Sequence, residues 1–412
     1  MSAPDLPSQI PADYFPVVDD CLYIGGLPLT RVAERVGHTP FYAYDRVLMS
    51  RRVAELRQAL PEGISLHYAM KANPMPAVVG HMASLVDGID VASAGELAVA
   101  LDAGMSPSEI SFAGPGKRPE ELDSAVASGI TVNLESFTEL DRITSSAERL
   151  SQQAHVAVRV NPDFELKSSG MKMGGGPKVF GVDAERVPEM LKLIGERGLH
   201  FRGLHIYTGS QNLRAESITE AHDQIFDLAC RLADDAPARL EMLNIGGGFG
   251  IPYFPGDTPL PVAPIASALE RHLEIAQQRL GETEIVMELG RYLVGEAGIY
   301  VARVIDRKIS RGHAFLVTDG GLHHHLAASG NFGQVIRKNY PAVIGNRLNG
   351  EPRETATITG PLCTPLDVLA SKIEVARAAP GDLVVLFQSG AYGLTASPVG
   401  FLSHPSPPEL LL

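Results

Sequence analysis

Two hydrophobic patterns alternate along the chain from about residue 40 to residue 290. Short, mostly apolar runs such as "TPFYAYD", "ISLHYAM", "GIDVAS", "ISFAGP", "GITVNL", "AHVAVRVNP", "FRGLHIYTG", "EMLNIGGG" and "TEIVMELG" predict strands. Between many of them, "PAVVGHMASLV", "AGELAVALDAG", "PEELDSAVASG" and "SFTELDRITSSAERLSQQ" space their apolar residues as a one-sided helix does. Such units repeated over roughly 250 residues match the size of an eight-stranded barrel. The expected fold class is α/β, with a (β/α)8 TIM barrel over residues 41–292. A doubly wound open sheet is the alternative. Against it, polar and glycine signatures recur at many successive strand ends, and no glycine-rich fingerprint follows the first strand.

After about residue 293 the texture changes to strands separated by turns: "IYVARVIDRKIS", "HAFLVTDGG", "ETATITG", "KIEVARAA" and "DLVVLFQSG". This predicts an antiparallel β-domain over 293–412. Residues 1–40 are proline-rich and contain "CLYIGG", an extra strand expected to join that domain.

Composition narrows the function classes. The 412 residues, 45% hydrophobic and 20% charged, suffice for a large core and two domains. Lys and Arg number 35 against 48 acidic residues, a net charge of -13, so no global basic field attracts nucleic acid or an anionic membrane. Cys21, Cys230 and Cys363 lie far apart without CxxC spacing, which argues against a disulfide scaffold or a thiolate zinc site. No apolar stretch is long enough to span a bilayer, and "MSAPDLPSQIPADYFP" lacks a signal-peptide pattern, so a cytoplasmic location is expected.

The candidate chemistry gathers at strand ends. In "HYAMKANP" Lys71 follows a short apolar run, where a partly desolvated amine can act as a nucleophile; a solvated lysine is the plainer reading. "NIGGGFGIPYF" sets Gly246, Gly247 and Gly248 after a strand, as a phosphate cradle or a tight turn. In "HIYTGSQN" Tyr207 can pack on a planar ligand and Ser210 can donate to phosphate, or they can be a core ring and a helix cap. In "MELGRY" Glu288 interrupts an apolar strand, where an ionised carboxylate needs a partner: a protonated aromatic nitrogen or the nearby Arg291. Adjacent residues on a strand point to opposite faces, so His323, His324 and His325 in "GGLHHHLAASG" are not expected to converge on a metal.

An amine, a glycine cradle, an aromatic platform and a buried carboxylate together describe a pyridoxal 5'-phosphate site at the C-terminal mouth of a barrel. In these motifs and their order, from "TPFYAYD" to "GAYG", the chain resembles the fold type III pyridoxal-phosphate-dependent decarboxylases. That family includes the diaminopimelate, ornithine and arginine decarboxylases, built on an alanine racemase-like barrel. The resemblance implies that Lys71 carries the cofactor and that Glu288 keeps its ring nitrogen protonated. Gly246, Gly247, Gly248, Ser210, Gly290 and Arg291 look like the phosphate-binding set. Cys363 in "GPLCTPLD" is similar to a cysteine that enters the partner subunit's site, and Tyr392 in "SGAYG" resembles a tyrosine near the cofactor. Arg291, Cys363, Thr364 and Tyr392 are then expected to face the substrate, in a homodimer with shared active sites. Asp90 and "ASAGE" resemble the loop near the cofactor-bearing lysine, with Glu96 expected to touch the site. In the resembled reaction either Cys363 or Lys71 returns a proton to the substrate.

The departures bear on the substrate. Tyr207 stands where the family usually stacks a histidine, with the earlier His205 retained. Thr364 replaces the glutamate that meets the distal ammonium of diaminopimelate, and "DGGLHHHLAASGNFG" has no clear counterpart of an expected arginine. The chain looks closest to exosortase-associated decarboxylases and to the decarboxylase of a carrier-bound glutamyl group in butirosin biosynthesis. The implied reaction is decarboxylation of an amino acid or carrier-bound aminoacyl substrate. The alternatives are a diaminopimelate decarboxylase, a racemase on the same fold and a non-catalytic cofactor-binding protein.

Overall fold

The structure, a computed structural model, describes residues 6–11, 13–164, 171–172, 174–332, 334, 337–350 and 352–412. It divides into a unit of Arg52–Ile251 with Pro259–Leu293, and a second unit of Met1–Arg51, Pro252–Thr258 and Val294–Leu412.

The first unit is a closed parallel barrel of β1 (Ile64–Ala69), β2 (Gly88–Val91), β3 (Ile110–Phe112), β4 (Thr131–Leu134), β5 (His155–Asn161), β6 (His200–Ile206), β7 (Met242–Gly247) and β8 (Glu284–Leu289). Each strand pairs with the next, and β8 returns to β1 with Glu288 opposite His67. Every residue of β2, β3 and β4 is buried, because helices cover the outer face and side chains fill the inner one. The helices begin on readable signals. Ser93 and Ser136 accept the amides of Glu96 and Glu139, while the Glu96 carboxylate takes the Ala92 amide and that of Glu139 takes the Glu135 amide.

The second unit holds the strands Gly298–Ser310, His313–Thr318, Ala342–Ile344, Arg353–Thr359, Val368–Ala376 and Leu383–Leu386 in one sheet. Most pairings are antiparallel, as expected, but His313–Thr318 runs parallel to Arg353–Thr359. Phe41–Tyr44, which the alternating pattern puts at the head of the barrel, belongs to this sheet instead. It pairs antiparallel with Gly298–Ser310 and parallel with Glu409–Leu411. All four of its side chains are buried, a pattern that a central strand of either sheet produces. "CLYIGG" forms a strand, Cys21–Ile24, but pairs with Val17–Val18 and Leu27–Pro28 in a small sheet of its own.

The three adjacent histidines lie off any strand, His323 and His324 in a turn, and all three are buried. His324 Nε2 lies 3.0 Å from the Pro405 carbonyl and His325 Nε2 2.9 Å from Ser389 Oγ. Burial pushes the imidazoles of His323, His324 and His325 down, to about 3, 4 and 3. Among the described residues no helix is long and apolar enough to cross a membrane.

Candidate active site

The turn after β1 places Lys71. Asn73 precedes a proline and takes extended backbone angles, so the 3-10 turn Met70–Ala72 stops there. Tyr68 Oη donates to the Asn73 carbonyl at 2.9 Å, and Asn73 Oδ1 accepts the Met75 amide at 3.2 Å, which locks the exit. Lys71 leaves at the C-terminal mouth with its Nζ 5.7 Å from the centroid of the Tyr207 ring. It is exposed rather than partly desolvated.

Three adjacent strands build the anionic end of the site. His205 on β6, Asn244 on β7 and Glu288 on β8 are buried side by side. Asn244 Nδ2 donates to Glu288 Oε2 at 3.1 Å, and its Oδ1 accepts the Gly246 amide at 2.8 Å. His205 Nε2 lies 3.1 Å from the same Glu288 oxygen, at ion-pair distance but without hydrogen-bond alignment. Burial by itself would raise the Glu288 carboxyl. The His205 ring, Lys71 and Arg159 outweigh it and hold the group well below the usual carboxylate range. Glu288 is therefore a buried anion at neutral pH.

The glycine loop at the end of β7 is shaped by close backbone approach. Gly246 and Gly248 have φ of +71° and +76°. A Cβ on Gly247 would stand 2.0 Å from the Glu288 carbonyl oxygen, and one on Gly248 2.2 Å from that of Gly209. Ser210 Oγ beside this loop is out of solvent and has no hydrogen-bond partner among the described protein atoms. After β8, a Cβ on Gly290 would stand 2.9 Å from the Ala69 carbonyl oxygen, so the turn that carries Arg291 packs against the one that carries Lys71.

A second buried network joins β3, β4 and β5. Lys117 Nζ donates to the carbonyls of Gly114 and Asn133 and to Glu139 Oε1, at 2.7, 2.8 and 2.8 Å. Arg159 on β5 donates to Glu135 Oε1 at 2.9 Å, and the same oxygen accepts the Gly114 amide at 2.6 Å. Burial acts to raise the Glu135 carboxyl, and Arg159 with Lys117 overcomes it, so the group is lowered. This network and Asn244 escaped the sequence reading. For Arg159 and Asn244 the signal is a polar residue inside the apolar runs "AHVAVRVNP" and "EMLNIGGG".

The other expected residues are placed as follows. Asp90 on β2 accepts from Ser111 Oγ at 2.5 Å and stands 3.5 Å from His67 Nδ1. Glu96 is tied to its own helix start; burial raises its carboxyl, while the Ala92 amide and Lys71 lower it. Cys363, Thr364 and Tyr392 belong to the second unit. There Cys363 is exposed, Thr364 Oγ1 accepts the Leu366 amide at 3.3 Å, and Tyr392 has a φ of +53°.

Residues 47–295 match the family described as "Pyridoxal-dependent decarboxylase, pyridoxal binding domain". The chain is 41% identical over 395 residues to the L-glutamyl-[BtrI acyl-carrier protein] decarboxylase of Niallia circulans, covering 93% of this chain and 90% of that one. It is 32% identical over 387 residues to the diaminopimelate decarboxylase of Aquifex aeolicus, covering 93% and 89%. The crystal structure of diaminopimelate decarboxylase from M. jannaschii with L-lysine superimposes with a TM-score of 0.87 at 25% identity, covering 97% of this chain and 93% of that one.

Proposed function

The chain belongs to the pyridoxal-dependent decarboxylase family and is a carboxy-lyase that uses pyridoxal 5'-phosphate; we propose that Lys71 and Glu288 are its central catalytic pair and that its substrate is an amino acid or carrier-bound aminoacyl group other than meso-diaminopimelate. The residues at the barrel mouth fit the cofactor. The orphaned Ser210 Oγ suits a phosphate oxygen, the glycine loop suits close backbone approach, and the buried Glu288 anion suits a cationic ring nitrogen. When bound, the cofactor supplies an electron-poor ring that accepts the electron pair left behind as CO2 departs.

The chain's own groups then have distinct tasks. Lys71 provides the amine to which the cofactor attaches. Glu288 holds a proton at the ring nitrogen, and Asn244 and His205 fix the carboxylate for that purpose. Tyr207 offers a flat face to the ring in place of the family's histidine. Gly246, Gly247, Gly248, Ser210, Gly290 and Arg291 hold the phosphate end. Cys363, Thr364 and Tyr392, with Arg291, face the substrate across a homodimer in which each subunit completes the other's site. Cys363 or Lys71 returns the proton to the substrate carbon. The carboxylate at position 288 carries the choice of reaction, since the racemase reading calls for a base on each face and an arginine against the ring nitrogen. Cysteine usage supports a cytoplasmic enzyme: Cys21, Cys230 and Cys363 are all free.

Thr364 carries the substrate reading. A glutamate there would pair with a distal ammonium, and a buried substrate charge without its partner costs several kcal/mol. The 41% identity to an enzyme whose name specifies a carrier-bound glutamyl group supports the same direction. A CO2-release screen across meso-diaminopimelate, lysine, ornithine, glutamate and glutamate loaded on a carrier protein tests it. Turnover of one of the last four, with meso-diaminopimelate poor, is expected; efficient turnover of meso-diaminopimelate with the others inert refutes it.

A further inference from the structure

A second cluster of donors joins His67 of β1 to two carboxylates at the starts of β8 and β3. Strand alternation puts Gly88 and Asp90 of β2 on one face, and Glu284 of β8 on the face of Glu288. Glu109 precedes β3 by one residue and shares the face of Ser111, which hydrogen-bonds Asp90 inside the barrel. His67 of β1 pairs with Gly88, and a Cβ on Gly88 would stand 2.4 Å from His67 Nε2, so a glycine is what gives the ring its room. One donor atom from each of His67, Glu109 and Glu284 lies within 4.8 Å of the other two.

His67 is 5% exposed, and neither ring nitrogen has a hydrogen-bond partner among the described protein atoms. A buried imidazole without partners is costly, which separates this cluster from a chance grouping of surface carboxylates. Its Nδ1 stands 3.5 Å from Asp90 Oδ1, at ion-pair distance without hydrogen-bond alignment, so both ring nitrogens remain to be satisfied. Ligands of a tetrahedral zinc ion sit about 2.0–2.2 Å from the metal, and so roughly 3.4 Å from each other. Neither Glu284 nor Glu109 is fully buried, so their long side chains have the freedom to close a gap of at most about 1.4 Å.

We propose that His67, Glu109 and Glu284 bind a divalent transition-metal cation of the zinc type, with Glu284 opening β8 and Glu109 standing just before β3. One nitrogen and two carboxylates suit zinc and leave its fourth position to water. The ion clips β8, β1 and the entry to β3 together and serves the fold rather than the decarboxylation.

The test uses the cofactor-loaded enzyme, stripped with EDTA, dialysed and titrated with ZnCl2 by calorimetry, with bound metal counted by mass spectrometry. The parent is expected to take up one more equivalent per chain than Glu109→Gln/Glu284→Gln, and its melting temperature to rise with Zn2+ where the variant's does not. Glu284→Gln alone is expected to weaken that equivalent by at least about 100-fold, since loss of an outer-shell partner already costs up to that much. Both positions lie at the solvent edge, so metal-free melting temperatures matching the parent's would show that the variants fold. Equal zinc uptake by parent and double variant, or none by the parent at micromolar Zn2+, overturns the proposal and leaves His67 held by protonation among its carboxylates.

Discussion

Replacing Glu288 with glutamine removes one negative charge from a buried site and changes little else. The amide keeps an oxygen to accept from Asn244 Nδ2, and the volume is conserved. What it loses is the ability to hold a proton on a ring nitrogen. At the 3.1 Å separation from which Glu288 meets both Asn244 and His205, two unit charges at an effective dielectric of about 20 interact by roughly 5 kcal/mol. Part of that acts equally before and during reaction, so the expected fall in kcat is about 10²- to 10⁴-fold, or about 3–5 kcal/mol in the barrier. Cofactor absorbance should persist, because the phosphate end and Lys71 are untouched. The assay is CO2 release under saturating cofactor, with the visible spectrum recorded on the same sample. A second readout follows from the depressed Glu288 carboxyl. A group held lower in the folded state contributes stability that is present above its ordinary value of 4.5 and lost as pH falls below it. Glu288→Gln should therefore flatten the acid limb of the stability curve. Near-parent turnover, with the cofactor bound, would refute the placement of Glu288 at the ring nitrogen.

Ser210→Ala should weaken pyridoxal phosphate binding by about 10- to 100-fold, the worth of a hydrogen bond to a charged group, and fluorescence titration of apoenzyme would read it. An unchanged affinity would remove Ser210 from the phosphate set. Lys117→Met leaves Glu139 Oε1 buried without its cation and should cost about 3–5 kcal/mol in urea unfolding; a loss under about 1 kcal/mol would contradict the buried pairing. Mixing inactive Lys71→Ala and Cys363→Ala subunits should restore activity through one intact site per heterodimer. If the subunits exchange and no activity returns, the shared-site dimer is wrong.

The barrel was legible because its strands are short apolar runs, many of them followed by a segment with helical spacing, and Glu288 stood out as a carboxylate inside such a run. Phe41–Tyr44 was assigned to the barrel and belongs to the second sheet, because four buried residues read alike at the centre of either and only pairing with Gly298–Ser310 separates the two. Glu96 and Glu139 follow Ser93 and Ser136 by three residues, a helix-start signature that reads locally. Lys117, Glu135 and Arg159 meet across loops and strands 18 and 24 residues apart in sequence, so no local window contains their network. The sequence also gave His67 no distinction, since its isolation depends on Gly88 and on carboxylates from two other strands.

Borohydride reduction of the cofactor-loaded enzyme, followed by peptide mapping, tests most directly whether Lys71 carries the pyridoxal phosphate at the mouth of this barrel. A yellow protein that is bleached by reduction and yields one labelled peptide, containing Lys71, is the predicted result. A label on another lysine, or a colourless protein that takes up no cofactor, would contradict it.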